Sequence, residues 1–289
     1  MIVLERIKLH KDFRLNGVAY SSIKNILSSK QDMPIEVYEF LEDWFSREYF
    51  INVNTSGSTG KPKTIKLQKQ HMINSALATG KYFNLTANTS ALLCLPVTYI
   101  AGKMMLVRAL ILGWHIDVIQ PNLTPLSTTE KQYDFAAMIP LQIENSLSKI
   151  HLIKKVIVGG GVVSKKLHTK LQGIKSLVFA TYGMTETITH IAVKQLNKII
   201  YTPNFYNILP NVTVFKDDRG CLVIKANKVS NDAIFTNDVV RLISDTEFEW
   251  LGRFDNVINS GGVKLHPEKI EAKLVTVIKQ RFFVAGIAD

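Results

Sequence analysis

Cysteine is scarce in this chain. Its 289 residues include only two, Cys94 and Cys221, and neither belongs to a Cys-x-x-Cys pair that would bind zinc. Small secreted domains that are held together by disulfides need many more cysteines. The shortage therefore excludes a disulfide-stapled secreted fold, and we expect both thiols to be reduced and buried in the core.

Long apolar runs are also missing. The least charged stretch, residues 84–102, contains several polar residues and a proline, whereas a membrane span needs about 20 predominantly apolar residues. The amino terminus carries charges where a signal peptide would need an uninterrupted apolar segment. These charges are Glu5, Arg6, Lys8, Lys11 and Asp12. We therefore expect a soluble cytoplasmic protein without a membrane span.

Acidic residues are outnumbered by basic ones. The chain has 35 Lys and Arg against 24 Asp and Glu, a formal net charge of +11, which suggests an anionic partner such as a nucleotide, an acidic metabolite, nucleic acid or a membrane surface. Residues 145–176 contain lysines but no acidic and no aromatic residue. Because aromatics are not interleaved there, a solvated helix face or a patch that steers CoA phosphates is favoured, and no nucleic-acid partner is expected.

Strand and helix patterns alternate through the first part of the chain. Two amphipathic helices are predicted over residues 23–27 and 35–44. Alternating short apolar runs and helical patterns follow, and this alternation predicts a layered α/β sheet. The predicted strands cover residues 50–53, 64–67, 91–95, 115–119, 135–139 and 155–158, and the predicted helices cover 71–83, 99–112 and 141–150.

The pattern changes to a period of two after residue 182. A hairpin is predicted around the turn 217–220, between strands at 212–215 and 221–224. Further strands are predicted at 234–236, 239–243 and 247–251, which together suggest a β-rich subdomain. A last helix should run from Pro267 to Ile278, followed by a strand at 281–286. We predict a large domain of residues 1–252, and a hinge with the truncated start of a small α+β domain at 253–289.

The densest chemical signal lies between two predicted strands. Glycine amides can close around an anion, hydroxyls donate to phosphate oxygens, and lysines supply charge, so the segment is a plausible triphosphate cradle. It differs from the Walker A sequence in its spacing, and a strand rather than a helix comes next. A flexible surface loop is the alternative. The candidate residues are Thr55, Ser56, Gly57, Ser58, Thr59, Gly60, Lys61 and Lys63.

Four motifs in order resemble the adenylate-forming superfamily of acyl-CoA synthetases, luciferases and adenylation domains. The first is the loop just described, the second covers residues 182–187, and the third contains Asp238. The fourth is the hinge motif, which runs from Gly252 to Glu271. This resemblance implies the adenylate-forming-enzyme fold and the formation of an acyl-AMP from ATP, with Mg²⁺ as cofactor and CoA as co-substrate.

The resemblance also implies roles for single residues. Tyr182, next to Gly183, would stack on adenine, Thr185 would donate to the α-phosphate, and Glu186 would hold Mg²⁺. The alternatives are a core tyrosine and a solvated glutamate. The remaining expectations are that Asp238 and Arg253 bind the ribose, Gly160 and Gly161 form the adenine wall, Asp255 is the pivot, and Lys264 serves the thioester step. A hairpin-turn aspartate, a surface arginine and a bare glycine turn are the corresponding alternatives.

A narrower similarity links the chain to o-succinylbenzoate-CoA ligases of menaquinone biosynthesis. It implies an aromatic keto acid with two carboxylates as substrate, near Tyr99 and His190. Lys103 or Arg108 would pair the carboxylate that does not react, although both could instead be helix residues with snorkelling heads. Another aryl- or acyl-CoA synthetase, a carrier-loading adenylation enzyme and a catalytically silent nucleotide-binding module remain alternatives.

The superfamily brings a lysine from its small domain to the reacting oxygens. That lysine would lie beyond Asp289, so we expect the present chain to bind ATP or an acyl-adenylate analogue but to be slow in adenylation.

Overall fold

The computed structural model of the chain describes residues 7–54, 63–200, 202–260, 263–274, 277–278, 280 and 282–287. The helices are α1 (Ile23–Leu27), α2 (Ile35–Phe45), α3 (Lys69–Phe83), α4 (Ile100–Leu112), α5 (Pro140–Asn145), α6 (Lys165–Leu171) and α7 (Pro267–Leu274). The strands are β1 (Arg14–Leu15), β2 (Val18–Ala19), β3 (Phe50–Asn54), β4 (Thr64–Gln68), β5 (Ser90–Leu93), β6 (His115–Val118), β7 (Tyr133–Met138), β8 (Ile153–Val158), β9 (Leu177–Gly183), β10 (His190–Gln195), β11 (Tyr206–Ile208), β12 (Thr213–Lys216), β13 (Cys221–Lys225), β14 (Ile234–Ser244), β15 (Glu247–Arg253), β16 (Ile258–Ser260) and β17 (Val263–Leu265).

Among the described residues, thirteen strands form one mixed sheet in the order β12-β13-β14-β15-β11-β10-β9-β8-β7-β5-β6-β1-β2. The five pairs that join β9, β8, β7, β5, β6 and β1 in this order are parallel, and β2 is antiparallel to β1 at the edge. From β9 to β12 the pairing is antiparallel. The predicted layered α/β fold is confirmed, and the β-rich part extends the same sheet.

Helices cover both faces of the parallel part. Side chains alternate between the faces of a strand: Ala91 and Leu93 of β5 pack with α3 and α4, whereas Leu92 packs with α5 and α6. Helix α4 is apolar on all sides and buried along most of its length, which is typical of a helix inside a core. Cys94 and Cys221 are free and buried, as predicted.

The order of the parallel strands defines a crevice. Strand β5 has β6 on one side and β7 on the other, so the chain changes direction across the sheet between β6 and β7. Ligands of open α/β sheets bind outside the carboxyl ends of the strands at such a switch point. Residues that follow β5, β7, β8 and β9 therefore meet at one edge.

The β-rich part differs from the prediction in one respect. The hairpin β12–β13 forms around the predicted turn, but the two strands predicted at 234–236 and 239–243 are one strand, β14. The polar pair Asn237 and Asp238 breaks the apolar pattern without breaking the strand. Asp238 stays in register with Arg253 of β15, which brings two predicted site residues together.

The last part of the chain carries a small hairpin, β16–β17, and then α7. Helix α7 begins at Pro267 as predicted and is described as far as Leu274, while residues 275–276 lie outside the described part. The strand predicted at 281–286 is wrong for residues 282–286, because residues 282–287 have no regular structure. Within the described ranges no strand pairs with this segment. The division into domains 1–252 and 253–289 stays a prediction.

Candidate functional site

Two cavities open at the carboxyl edge of the parallel strands. The first has a volume of about 690 Å³ and is lined by Gly161, Tyr182, Trp250 and Arg253, among others. The second has a volume of about 400 Å³ and is lined by residues that follow β5, by residues of α4, β7, β8 and β9, and by the segment after β9. Both are lined by Gly160, Thr181 and Gly183. The two cavities therefore share a wall at the ends of β8 and β9.

The Asp238 carboxylate lies at the centre of a cluster beside the first cavity. It is buried and accepts hydrogen bonds from the Tyr182 hydroxyl at 2.6 Å and from Trp250 Nε1 at 3.0 Å. Arg253 Nη1 lies 3.6 Å from the same carboxylate. Burial, followed by the charge on Asp238, raises the pKa of Tyr182, so the tyrosine is a stable donor. The cluster fixes an anionic acceptor and an aromatic ring next to each other.

The Tyr182 ring is held by other aromatic rings as well. Phe248 contacts it edge-to-face at 5.2 Å and Tyr206 at 6.0 Å between ring centroids. Such contacts prefer this geometry and fix the ring plane. Tyr182 is thus ordered both through its hydroxyl and through its ring before any ligand is bound.

Arg108 is the most unusual residue of the second cavity. It is 2% exposed, and burial lowers the pKa of its guanidinium to about 9, so it remains charged at neutral pH. It donates to the hydroxyls of Thr79 at 3.3 Å and Thr189 at 3.1 Å. Among the described residues no carboxylate pairs with it. A buried cation without an acidic partner is costly to the fold, which points to an anionic ligand.

His190 lies beside Arg108 in the same cavity. Its Nδ1 is 2.8 Å from the Thr189 hydroxyl, and its Nε2 is buried without a hydrogen-bond partner among the described residues. Burial, and then the charge on Arg108, lower the pKa of His190 to about 3. The imidazole is therefore neutral at physiological pH.

A strained turn leads into His190. Ile188 has φ 65° and ψ −58°, and the Thr189 amide donates to the Thr187 carbonyl at 2.7 Å. This is a γ-turn of the rare kind with a positive central φ. Gly183 lies against it: a Cβ at Gly183 would stand 2.2 Å from the Thr189 carbonyl oxygen. Only glycine allows β9 to approach this turn so closely.

The other predicted site residues lie at different distances from the two cavities. Thr185 and the 48% exposed Tyr99 line the second cavity, and Glu186 is exposed in the short 3₁₀ turn Thr185–Thr187 beside it. The structure does not bring Lys103 to the site, because its Nζ lies 5.0 Å over the Phe40 ring of α2. Lys264 is exposed on β17.

The predicted phosphate cradle lies largely outside the described residues. Thr55, Ser56, Gly57, Ser58, Thr59, Gly60 and Lys61 belong to that part of the chain, and Lys63 directly precedes β4. The strand before the loop ends at Asn54, which lines the second cavity and accepts a hydrogen bond from Thr64 at 2.8 Å. Asn54, which precedes the predicted cradle in the chain, therefore lies at this cavity.

The hinge region is tied to the Asp238 cluster. Arg253 reaches Asp255 at 3.2 Å as well as Asp238. Glu268, in the first turn of α7, accepts hydrogen bonds from Asn256 at 2.7 Å and from the Arg253 amide at 3.4 Å. The predicted pivot, Asp255, therefore lies where α7 joins the large sheet.

Two contributors were missed from the sequence, Trp250 and Thr189. Trp250 lies on β15, which pairs with β14 across the hairpin, so a tryptophan near a candidate aspartate on a predicted hairpin was a usable signal. Thr189 gave no signal, because its role depends on Arg108, which is 81 residues away in the chain.

Stability should fall in mild acid because of His190. The pKa of His190 in the folded chain, about 3, lies below the ordinary value of 6.5. Between these two values the imidazole is protonated in the unfolded chain but not in the folded chain. The contribution of His190 to the free energy of unfolding is therefore fully present above pH 6.5. It is lost as the pH falls below 6.5, by about 1.4 kcal/mol per pH unit. Urea unfolding at pH 7 and 5 should therefore show a loss about 2 kcal/mol larger in wild type than in His190→Gln. His151 is exposed, so His151→Gln should lose as much stability between pH 7 and 5 as wild type does. An equal loss in wild type and His190→Gln would refute the assignment to His190.

Together, the fold and the two joined cavities define a class: an α/β protein with a ligand site at the carboxyl edge of a parallel sheet, built for an aromatic base and an anion. The sequence profile of the AMP-binding enzyme family matches residues 53–219. The chain belongs to this family. The adenylate-forming fold expected from the motifs is confirmed by its structural neighbours.

Three relatives illustrate the similarity. The 2-succinylbenzoate--CoA ligase of Oceanobacillus iheyensis is 22% identical over 92% of this chain and 61% of that protein. An acyl-CoA synthetase (AMP-forming)/AMP-acid ligase II-like protein from Dyadobacter fermentans is 39% identical with a TM-score of 0.71, over 84% of this chain and 71% of the other. The Bacillus subtilis o-succinylbenzoate coenzyme A synthetase in complex with ATP and magnesium ion is 18% identical with a TM-score of 0.68, over 88% and 67%.

The chain spans 61% of the length of the Oceanobacillus relative. Within the described ranges, no helix has the length and apolar character that crossing a bilayer requires. Nor do these ranges contain a group of three or more His, Cys, Asp or Glu side chains that could hold a metal ion.

Proposed function

We propose that the protein activates a carboxylic acid as an acyl-adenylate with ATP and transfers the acyl group to the thiol of CoA. The observation that carries this proposal is the shared wall of the two cavities, at Gly160, Thr181 and Gly183. One cavity has an aromatic ring with the buried carboxylate of Asp238 bonded behind it, and the other has a buried cation. A nucleotide in the first and an acid in the second would meet at this wall.

The first cavity suits the adenosine part of ATP. Tyr182 offers a fixed aromatic face, and Gly160 and Gly161 let backbone approach the base closely. The Asp238 carboxylate has acceptor capacity beyond its bonds to Tyr182 and Trp250, because an ionised carboxylate offers about four lone-pair sites. Ribose hydroxyls would use that capacity, with Arg253 balancing the charge.

A magnesium ion fits the exposed carboxylate of Glu186. Mg²⁺ is usually bound by one or two carboxylates together with substrate phosphates and water, so a three-residue cluster is not required. When bound, the ion would neutralise charge on the phosphates. Thr185, on the same short turn, would donate to the α-phosphate, and the hydroxyls and lysines of residues 55–63 would surround the other phosphates.

We propose o-succinylbenzoate as the acid. The names of relatives support this choice, and the uncompensated charge of Arg108 supports an acid with a second carboxylate. Arg108 would bind the carboxylate that does not react, at the inner end of the second cavity. The reacting carboxylate would then lie toward Gly183 and Thr185.

The chain's contribution to the reaction would be positional and electrostatic. A carboxylate is a poor electrophile, and its attack on the α-phosphorus with loss of pyrophosphate turns its oxygen into a leaving group, AMP. Holding both reactants in line supplies much of the rate in such reactions. CoA then attacks the acyl carbon through its sulfur, and AMP leaves. Lys264 is proposed to serve this second step.

Calorimetry with three ligands tests the proposal. We expect the full chain to bind AMP, o-succinylbenzoate, and a sulfamoyl-adenosine mimic that joins the two. If the cavities form one site, the joined mimic should bind about 100-fold more tightly than AMP, because linkage makes the second binding event intramolecular. If the mimic binds no more tightly than AMP, the two cavities do not form one binding site, and the proposal is refuted.

A further inference from the structure

The hydroxyl of Thr189 has three neighbours, and together they fix its proton. Arg108 Nη2 donates to Oγ1 at 3.1 Å, and the backbone amide of His190 also donates to it. A hydroxyl oxygen has two acceptor lone pairs and one proton to donate. Both lone pairs are used, so the hydroxyl proton must point to the third neighbour, His190 Nδ1, at 2.8 Å.

The bond to Nδ1 determines the state of the imidazole. Nδ1 accepts the Thr189 proton and therefore carries none of its own. A neutral imidazole has one donor and one acceptor nitrogen, so Nε2 carries the proton. The nearby guanidinium opposes a second proton on the ring. The Phe83 ring contacts the imidazole edge-to-face at 6.2 Å and fixes its orientation.

This leaves a buried, unpaired donor on a residue that lines the second cavity. His190 is 7% exposed and lines the cavity, and Nε2 has no partner among the described residues. Buried donors are nearly always satisfied in native proteins, and an unsatisfied one costs about 1–3 kcal/mol. Arg108, which lines the same cavity, has five N–H donors and uses three of them on Thr79, Met105 and Thr189. The ligand must therefore supply acceptors for two different donors.

We propose that His190 is a specificity-determining residue, held as an Nε2–H donor by Thr189, that selects acids with an uncharged acceptor oxygen next to the group bound by Arg108. The inference rests on the proposed function, because it concerns the acid of the same site. The guanidinium fits a carboxylate, and the neutral N–H fits a carbonyl oxygen. The favoured substrates are thus keto dicarboxylic acids rather than plain dicarboxylic acids.

The tautomer can be measured without any ligand or variant. In the full chain with ¹⁵N-labelled histidine, two-bond ¹⁵N–¹H correlations distinguish a protonated Nε2 from a protonated Nδ1. We expect Nε2 to be protonated and Nδ1 to have the shift of an acceptor nitrogen. A protonated Nδ1, or a doubly protonated ring at pH 7, would overturn the proposal.

The selectivity is tested with two acids that differ in one group: o-succinylbenzoate and 4-(2-carboxyphenyl)butanoate, in which a methylene replaces the ketone. Wild type should bind the keto acid about tenfold more tightly, because the methylene leaves the N–H unpaired. Thr189→Val, which cannot donate to Nδ1, and His190→Leu should reduce this ratio to less than about threefold. Thr189→Ser should keep the wild-type ratio, and His190→Gln should restore part of it through its amide donor.

The outcomes separate the two proposals. Equal binding of both acids by wild type, or an unchanged ratio in His190→Leu, overturns the role of His190 while leaving the ligase proposal intact. If neither acid binds but AMP does, the proposed substrate fails, and the role of His190 fails with it. A variant that does not fold leaves the wild-type ratio and the wild-type spectrum to decide.

Discussion

Replacing Arg108 by methionine should stabilise the fold and at the same time weaken binding of the dicarboxylic acid by about 100-fold. Methionine fills a similar volume on α4 and removes a buried charge that has no acidic partner among the described residues. In the variant, the Thr79 hydroxyl keeps its hydrogen bond to the Ser75 carbonyl at 2.9 Å, and the Thr189 hydroxyl keeps its hydrogen bond with His190. Since no buried donor loses its acceptor, we expect the free energy of unfolding to rise by about 1–3 kcal/mol.

The expected loss of affinity for the dicarboxylic acid also follows from the burial of the Arg108 guanidinium. A charge-assisted hydrogen bond contributes about 1.5–3 kcal/mol, and the guanidinium can make two to one carboxylate. An analogue without the ring carboxylate, 4-oxo-4-phenylbutanoate, does not use this contact and should bind wild type and Arg108→Met equally well. Calorimetry with both acids, together with urea unfolding, measures the two effects separately.

Lys103→Met is the matched control, because it removes a cation from the same helix but from outside the cavity. Its ratio of affinities for the two acids should equal that of wild type. If Lys103→Met loses the preference for the diacid, or Arg108→Met keeps it, the assignment of the carboxylate to Arg108 is wrong.

Asp238→Asn should weaken AMP binding by about 30-fold to 100-fold, because the variant loses both the charge and one of the two acceptor oxygens. Asparagine can still accept from Trp250, and the Tyr182 hydroxyl can turn to accept from the new amide, so the fold should lose only about 1–2 kcal/mol. Asp238→Ala leaves Tyr182 and Trp250 without a partner and should be less stable. AMP affinity is measured by calorimetry, and stability by urea unfolding.

Asp217→Asn controls for loss of an acidic residue from a nearby strand pair. Asp217 accepts from Arg219 in the β12–β13 turn at 2.9 Å, outside the cluster in which Asp238 accepts from Tyr182 and Trp250. It should therefore change stability without changing AMP affinity. Unaltered AMP binding in Asp238→Asn would contradict the placement of ribose at Asp238.

The sequence predicted the residue types of the site better than their contacts. Hydroxyls, glycines, Glu186 and Asp238 occur in compact motifs, where local spacing already indicates chemistry. The bond between Tyr182 and Asp238 joins residues 56 positions apart, and it exists because β9 and β14 lie in one sheet. Strand β9 itself escaped prediction, since its first four residues, 177–180, form a continuous apolar run without the apolar–polar alternation that marks half-buried strands.

The choice between Lys103 and Arg108 shows the same limit. Five residues on a helix turn the side chain by roughly 140°, so the two cations point in different directions. An amphipathic pattern would have told which of them faces the core, but α4 is apolar all round. The tertiary packing of α4 decides it: Lys103 lies over Phe40 of α2, whereas Arg108 reaches Thr79 of α3 and Thr189.

Strand β9 also limits where the two proposed reactants could meet. Its side chains alternate, with Phe179 packing on the α3–α4 face and Ala180 on the α5–α6 face, so a base bound in the first cavity and an acid bound in the second would approach the strand from opposite faces. Under the proposed function the two reactants would meet at the end of this strand, where Thr181 and Gly183 line both cavities. Bond formation would then take place beside these two residues, and lengthening β9 by one bulky residue should keep the two bound reactants apart.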